Sequence, residues 1–193
     1  MTFDLIGLVG RKRSGKDTVA SMLNARGGYQ RLAFADALKA VALELDPILW
    51  HSMIHHVPVR LSEKVRRVGW EEAKEDQEVR RILQALGVAV RTHIDTDAWV
   101  NIVEAKVHEH QRDGVPTVIT DVRFPNEVEM IEARGGLVIR VTRAGLPQDD
   151  LHISETALDD HPVDYTVAND GSLEDLARQV LVLLAKIKRE ENL

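Results

Sequence analysis

Apolar positions along this chain change their period many times, and each change predicts an element. The apolar run Leu5-Ile6-Gly7-Leu8-Val9 predicts a buried strand over residues 4–9. Val19, Ala20, Met22 and Leu23 then fall at helical spacing, so residues 15–26 form a first helix, stopped by Gly27-Gly28. Residues 30–35 alternate as a second strand, and Asp36 stands where a cap belongs, ahead of Leu38, Val41, Ala42 and Leu45 in a helix closed by Pro47. From 51 to 69 the pattern is weak, rich in charge and interrupted by Pro58, which predicts a loop-rich insertion. Val79, Ile82, Leu83, Leu86 and Val90 mark the buried stripe of a long helix. Trp99, Ile102, Val103 and Val107 do the same for residues 97–111.

A short strand over 116–120 ends at Asp121, a helix runs on to Arg134, and Gly135-Gly136 breaks it before another strand at 137–142. Residues 143–162 are polar, with Gly145, Pro147 and Pro162, and predict an irregular or part-helical lid. The last strand spans 164–168. Asn169-Asp170-Gly171 makes a turn, and Ser172 caps a final helix to Lys188, with Glu174 or Asp175 suited to its positive end. Strands alternating with helices predict an α/β fold: a parallel sheet of about five strands covered by helices on both faces. Ligands of such sheets sit at the carboxyl ends of the strands. Gly10 to Lys16, Asp36, Asp121 and Arg143 all fall at those ends.

The totals narrow the chemistry. A chain of 193 residues, 44% hydrophobic and 29% charged, suits one domain, with or without an inserted subdomain. A net charge of −6 argues against a general nucleic-acid surface, and the absence of cysteine excludes disulfides, thiolate metal sites and thiol nucleophiles. Apolar runs are far shorter than a membrane span, and no signal-peptide pattern opens the chain, so a soluble cytoplasmic protein is expected. Against the acidic background, Arg11, Lys12, Arg13 and Lys16 form a local positive cluster suited to a small polyanion.

That cluster lies in Gly10-Arg11-Lys12-Arg13-Ser14-Gly15-Lys16-Asp17-Thr18, between the first strand and the first helix. A glycine-bounded loop with a Lys at a helix start is the pattern of a phosphate-binding P-loop. Gly10 and Gly15 allow the tight turn that aims amide groups at an anion, and the helix adds its positive dipole end. Lys16 is then placed for the β- and γ-phosphates, with Ser14, Arg13 and the rest of the loop around them. The residue after the Lys is Asp17, and the hydroxyl follows at Thr18, a Gly-Lys-x-Thr form found in small kinases acting on nucleoside monophosphates. The expected cofactors are ATP and Mg²⁺, with Asp17, Thr18 and Asp121 as metal candidates. Asp121 reads either as a Walker-B carboxylate or as a helix cap. Asp17 reads either as a metal contact or as a favourable first-turn charge. Arg123, Arg140 and Arg143 are candidates for clamping the transferring phosphoryl group or stacking on the donor base. Lys39 is a candidate for the acceptor phosphate. Arg80, Gln84, Gly87 and Arg91 line one side of the long helix, as substrate contacts or as a solvated face.

The same loop, Phe34-Ala35-Asp36-Ala37-Leu38-Lys39, Ile82-Leu83-Gln84-Ala85-Leu86-Gly87, Thr120-Asp121-Val122-Arg123-Phe124-Pro125-Asn126-Glu127, His152-Ile153-Ser154-Glu155 and Asn169-Asp170-Gly171 together resemble the deoxynucleoside monophosphate kinases of bacteriophages. The resemblance spans nearly the whole chain in order. It implies a single P-loop kinase domain, with a core at 1–50 and 114–193, a helical acceptor-binding region at about 51–113 and a lid at about 143–162. It implies transfer of the ATP γ-phosphate to a dNMP, with ATP and dNMP as partners, no nucleic acid, no membrane and an expected homodimer. The place of action would be a host cytoplasm if the source is viral. The resemblance carries phosphate binding to Gly15, Lys16, Asp17 and Thr18 and favours Arg80, Arg81, Arg123 and Arg143 as site residues. With the residue reading above, Lys16, Arg123, Arg143 and Asp121 are the catalytic candidates, and Asp36, Lys39, Arg80, Arg81, Gln84, Arg91 and Glu155 the substrate-binding ones. The family often has Pro where Ala37 stands, and Thr-Glu where Val88-Ala89 follow Gly87, which bears on base preference. The alternatives are a P-loop kinase for a phosphomevalonate- or dephospho-CoA-like metabolite, and a nucleotide-binding module without transfer.

Overall fold

The computed structural model of the protein describes residues 4–51, 57–146 and 153–190. In chain order the elements are β1 (Leu5–Val9), α1 (Lys16–Gly27), β2 (Gln30–Leu32), α2 (Phe34–Leu45), β3 (Ile48–His51), β4 (Pro58–Arg60), α3 (Leu61–Ala73), α4 (Gln77–His93), α5 (Ala98–Arg112), β5 (Thr117–Ile119), α6 (Pro125–Ala133), β6 (Leu137–Thr142), α7 (Ile153–Thr156), β7 (Tyr165–Ala168) and α8 (Leu173–Glu190). Among the described residues no helix is long and apolar enough to cross a membrane.

The chain divides into two compact units. The first comprises the described residues up to Phe34 and from Val100 onward. It holds a five-stranded sheet in the order β2-β5-β1-β6-β7, with every pairing parallel. Alternate strand residues point to opposite faces, and both faces here are apolar. Ile6 and Leu8 look toward Val19 and Leu23 of α1 and Leu176, Val180 and Ile187 of α8. Leu5 and Val9 look the other way, toward Val100, Val103 and Val107 of α5 and Val128 and Ile131 of α6. The expected α/β layering is therefore what the sheet shows. Except for β6, its strands are shorter at their ends than the sequence suggested.

The second unit, Ala35–Trp99, carries its own cluster around Ala42, Leu61 and Val79, joined by Leu43, Leu49, Val65, Trp70, Leu83 and Leu86. One sequence expectation is corrected here. The stretch read as loop-rich contains an antiparallel hairpin, β3 against β4, followed by α3, in which Gly69 (φ 75°) breaks the helical path. The unit begins at Ala35, with Ala42 of α2 packed against α3 and α4, and Val100 of α5 belongs to the first unit's core.

Helix starts in this unit are fixed by carboxylates. Asp46 accepts from the Ser62 amide (2.8 Å), which draws its carboxyl below the ordinary value despite its surroundings. Asp76 caps α4 through the Glu78 amide (2.9 Å) and pairs with Lys64, whose ammonium also lies 4.5 Å from the Trp50 ring centroid. Burial alone would raise the Asp76 carboxyl; the Lys64 and amide bonds outweigh it and hold it below the usual value.

Candidate functional site

All five strands of the main sheet run the same way, so their carboxyl ends share one edge. Val9 lies opposite Arg140, Ile119 opposite both Gly7 and Leu32, and Thr142 opposite Ala168. The segments leaving that edge are the 10–15 loop after β1, Thr120-Asp121 after β5, Arg143 after β6 and Asn169 after β7. β1 is central, so its loop emerges between β5 and β6.

The loop is built by its glycines and by Lys16. Gly10 (φ 143°) passes so close to β6 that a Cβ would lie 2.3 Å from the Val141 carbonyl oxygen. Gly15 caps α1 in the left-handed region (φ 102°), where a Cβ would meet the Asn169 amide nitrogen at 2.3 Å. Arg13 is also left-handed, at φ 66°, and Ser14 turns back by donating its amide to the Arg11 carbonyl (3.1 Å). Lys16 is buried at the first position of α1, its Nζ donating to the carbonyls of Gly10 (2.6 Å) and Arg11 (3.0 Å). A buried ammonium gripping two carbonyls of its own loop holds a positive charge at a helix N-terminus, the arrangement that attracts a phosphate. Ser14 is buried too, and its hydroxyl has no hydrogen-bond partner among the described residues. Arg11 pairs with Asp159, so the segment after α7 lies against the loop.

Each sequence candidate of this unit has a definite place. Asp17 is exposed in the first turn of α1, and Thr18 beside it is half-buried. Asp121 is half-buried and accepts the Phe34 amide at 2.8 Å, capping α2. The expected cap, Asp36, sits inside the first turn of that helix instead. Arg123 is half-buried, and its amide donates to Glu127 at 2.7 Å. Arg143 is exposed just past β6. Arg140 is turned from the expected ligand role: its Nη2 donates to the carbonyls of Leu158 (2.9 Å) and His161 (2.6 Å), pinning that segment to β6. Glu155 falls in α7, with its side chain outside the described residues, as are His152 and the middle of the expected lid.

In the second unit, Lys39 lies 3.7 Å from Asp36 and 5.8 Å from the Trp70 ring centroid. The polar line on α4 is largely occupied by protein. Arg80 donates to the Lys74 carbonyl (3.2 Å), Arg91 to the Thr96 carbonyl (3.3 Å), and exposed Arg81 grips Glu78 with two bonds. Gly87 is not an open gap: its carbonyl accepts from the Trp99 indole (3.3 Å), and a Cβ there would touch Leu38 at 3.4 Å. Gln84 is half-buried, while Val88 and Ala89 are exposed.

Two residues within the family-like motifs were not among the site candidates. Glu127 is 1% exposed and accepts the amides of Arg123 (2.7 Å) and Phe124 (3.2 Å), fixing the turn that carries Arg123. Asn169 donates to the Ser14 carbonyl at 2.9 Å. Its signal was available, since it follows a strand at the same edge as Asp121.

Among the described residues no group of three or more His, Cys, Asp or Glu could hold a metal. Mg²⁺ bound with a nucleotide needs only one or two protein oxygens beside phosphates and water. The carboxylates of Asp17 and Asp121 and the Thr18 hydroxyl are donors of that kind.

The chain is similar to known proteins. The family model described as deoxynucleotide monophosphate kinase matches residues 43–180, a span that begins after the phosphate loop. A protein of Acanthamoeba polyphaga mimivirus whose name carries the same words is 32% identical over 195 residues, covering 92% of this chain and 94% of its own. The deoxynucleotide monophosphate kinase of Escherichia phage RB69 is 35% identical over 108 residues, covering 55% of this chain and 44% of its own, so the chain matches less than half of that phage protein. Dephospho-CoA kinase from Campylobacter jejuni superposes with a TM-score of 0.54 over 97% of this chain and 98% of its own, at 12% identity, a likeness of fold alone. With the strand edge, the phosphate loop and these matches in agreement, the chain belongs to the deoxynucleotide monophosphate kinase family.

Proposed function

We propose that this protein transfers the γ-phosphoryl group of ATP to a deoxynucleoside monophosphate, giving dNDP and ADP. The observation that carries the reading is Lys16, buried at the start of α1 and held by the Gly10 and Arg11 carbonyls inside a glycine-bounded loop. Phosphoryl transfer asks the protein for position and charge neutralisation rather than covalent chemistry. The acceptor oxygens of a monophosphate are already ionised near neutral pH, so no general base is required.

The loop amides and Lys16 bind the β- and γ-phosphates. Arg123 and Arg143, on segments leaving the same strand edge, neutralise charge as it spreads over the transferring group. Thr18, with Asp17 or Asp121, would hold Mg²⁺, which would supply positive charge to offset that of the phosphates. Asp121 is already committed through Oδ1 to the Phe34 amide, so Thr18 and Asp17 are the first choice. Arg140 is given a lesser part at the donor site, because its Nη2 is already engaged by the Leu158 and His161 carbonyls. Acceptor recognition is assigned to Asp36, Lys39 and Gln84, with the exposed Val88-Ala89 pair bearing on base preference. Arg80 and Arg91 each give one donor to a backbone carbonyl and Arg81 pairs with Glu78, and all three remain substrate-binding candidates. Action as a soluble protein, and as a homodimer, are parts of this proposal.

The test is purified protein with ATP, Mg²⁺ and each dNMP in turn, with dNDP separated by chromatography and ADP release followed by a coupled assay. Formation of dNDP with at least one base is expected. Absence of dNDP with all of them, or ADP release only with dephospho-CoA or phosphomevalonate, would reject the reading. Nucleotide binding without any acceptor-dependent turnover would assign a binding module instead.

A further inference from the structure

We propose that Asn169 is a positioning residue of the phosphate loop, locking the peptide between Ser14 and Gly15 in the orientation that binds phosphate. The inference rests on the phosphate-binding reading of the loop. The peptide unit is planar and trans, so the Ser14 carbonyl and the Gly15 N–H point in opposite directions from one rigid plate. Whatever holds the carbonyl therefore aims the N–H. Asn169 holds it: Nδ2 donates to the Ser14 oxygen at 2.9 Å, across 155 positions of sequence.

This plate needs a lock more than its neighbours do. Gly15 sits at φ 102°, where it has no Cβ to resist rotation, and peptide flips beside glycine are sterically cheap. The buried Ser14 hydroxyl adds no hydrogen bond to hold it among the described residues. The same amide nitrogen stands where a Gly15 Cβ would fall, 2.3 Å away, so glycine and asparagine are matched to one another.

The lock is rigidly mounted. The Asn169 amide donates to the Thr142 carbonyl at 2.8 Å, tying the turn to β6. Gln179 of α8 holds both backbone groups of Ala168, accepting its N–H (3.1 Å) and donating to its carbonyl (2.6 Å). One residue on, Asp170 accepts the Ala144 amide at 2.6 Å, so the same turn also fixes the path of the chain just after Arg143. One turn thus braces two of the segments assigned to phosphate contact.

The test uses Asn169→Ala, which deletes the donor, and Asn169→Asp, which keeps the shape and sets an acceptor against the Ser14 carbonyl. Affinity for inorganic tripolyphosphate is measured by calorimetry, and KM for ATP and for the dNMP separately, alongside the unfolding temperature. Both variants are expected to bind tripolyphosphate roughly ten- to a hundredfold more weakly, the range set by losing one hydrogen bond at a buried polar group. Asn169→Asp should be at least as weak as Asn169→Ala. KM for ATP should rise while KM for the dNMP stays put; a general folding defect would lower kcat and leave both KM values unchanged. Wild-type affinity for tripolyphosphate in either folded variant would overturn the inference. If the wild type binds tripolyphosphate yet phosphorylates no dNMP, the proposed reaction fails while the affinity ratio still decides the role of Asn169. If the wild type binds no tripolyphosphate, both fall.

Discussion

Replacing Glu127 by Ala tests the turn that presents Arg123. The carboxylate is 1% exposed and accepts two backbone amides, from Arg123 at 2.7 Å and Phe124 at 3.2 Å, just where α6 begins. The Phe124 side chain offers no acceptor, so the Glu127 amide donates to the Phe124 backbone carbonyl (3.0 Å) while the Glu127 carboxylate serves these two donors. Hydrogen bonds to a charged group are worth about 1.5–3 kcal/mol each, and an orphaned buried donor costs about as much. The longer Phe124 bond counts at the low end, and water entering the vacated space returns part of the loss. The expected destabilisation of Glu127→Ala is about 3 kcal/mol. In a chain of this size that lowers the unfolding temperature by about 6–12 °C. Glu127→Gln keeps a carbonyl acceptor of the same reach, so it should lose about half as much. Urea titrations followed by circular dichroism give the midpoints, with m unchanged if the effect lies in the folded state. An Ala variant within about 1 kcal/mol of wild type, or a Gln variant as damaged as Ala, would refute the reasoning. Because the turn also aims Arg123, kcat in the Ala variant should fall even at temperatures where it is fully folded.

Three further outcomes are expected. Lys16→Ala should lower turnover by roughly a thousandfold or more, the scale of removing a donor aimed at developing charge, with the unfolding midpoint little changed; near-normal activity would remove Lys16 from the site. Arg143→Ala should lower kcat more than it raises KM for the acceptor, since an exposed Arg at the strand edge acts mainly on transition-state charge; an unchanged kcat would strike it from the proposal. Asp76→Asn keeps a side chain able to cap α4 but loses the Lys64 ion pair. The folded-state pKa of Asp76 lies below 3.8, so its stabilisation is present above that value and fades as pH falls through the lowered one. The stability gap between wild type and variant, on the order of 1 kcal/mol at pH 7, should narrow steadily below about pH 4 in urea titrations; a pH-independent gap would contradict the assignment.

What the sequence made legible was what neighbouring residues decide. The strand at 137–142 coincides with β6 because a Gly-Gly break and an apolar run set both ends locally. Ser172 caps α8 as expected, its hydroxyl receiving the Asp175 amide while Asp175 returns a bond to the Ser172 amide. What stayed hidden depends on residues far apart. The start of α2 at Phe34 could not be read locally, because its cap is Asp121, 87 positions away. The roles of the arginines were hidden for a related reason. A cation near a strand end or along a helix face looks the same whether it meets a phosphate or a backbone carbonyl, and Arg80, Arg91 and Arg140 all meet carbonyls.

The phosphate loop shows how that ambiguity resolves at the site itself. Lys16 grips the carbonyls of Gly10 and Arg11 from within the loop, and Asn169 grips that of Ser14 from β7. Three carbonyls of one six-residue turn are thus held by donors of the protein. Since each planar peptide sends its N–H opposite to its carbonyl, fixing the oxygens fixes the amides that follow them. The cation and the asparagine therefore do the same structural work before any ligand arrives: they hold the loop open as an array of aimed amides. Lys16 differs in one respect, because its ammonium can exchange two carbonyls for phosphate oxygens that bind it more strongly. On this account the asparagine sets the shape of the loop, and the lysine supplies the charge that its bound phosphates require.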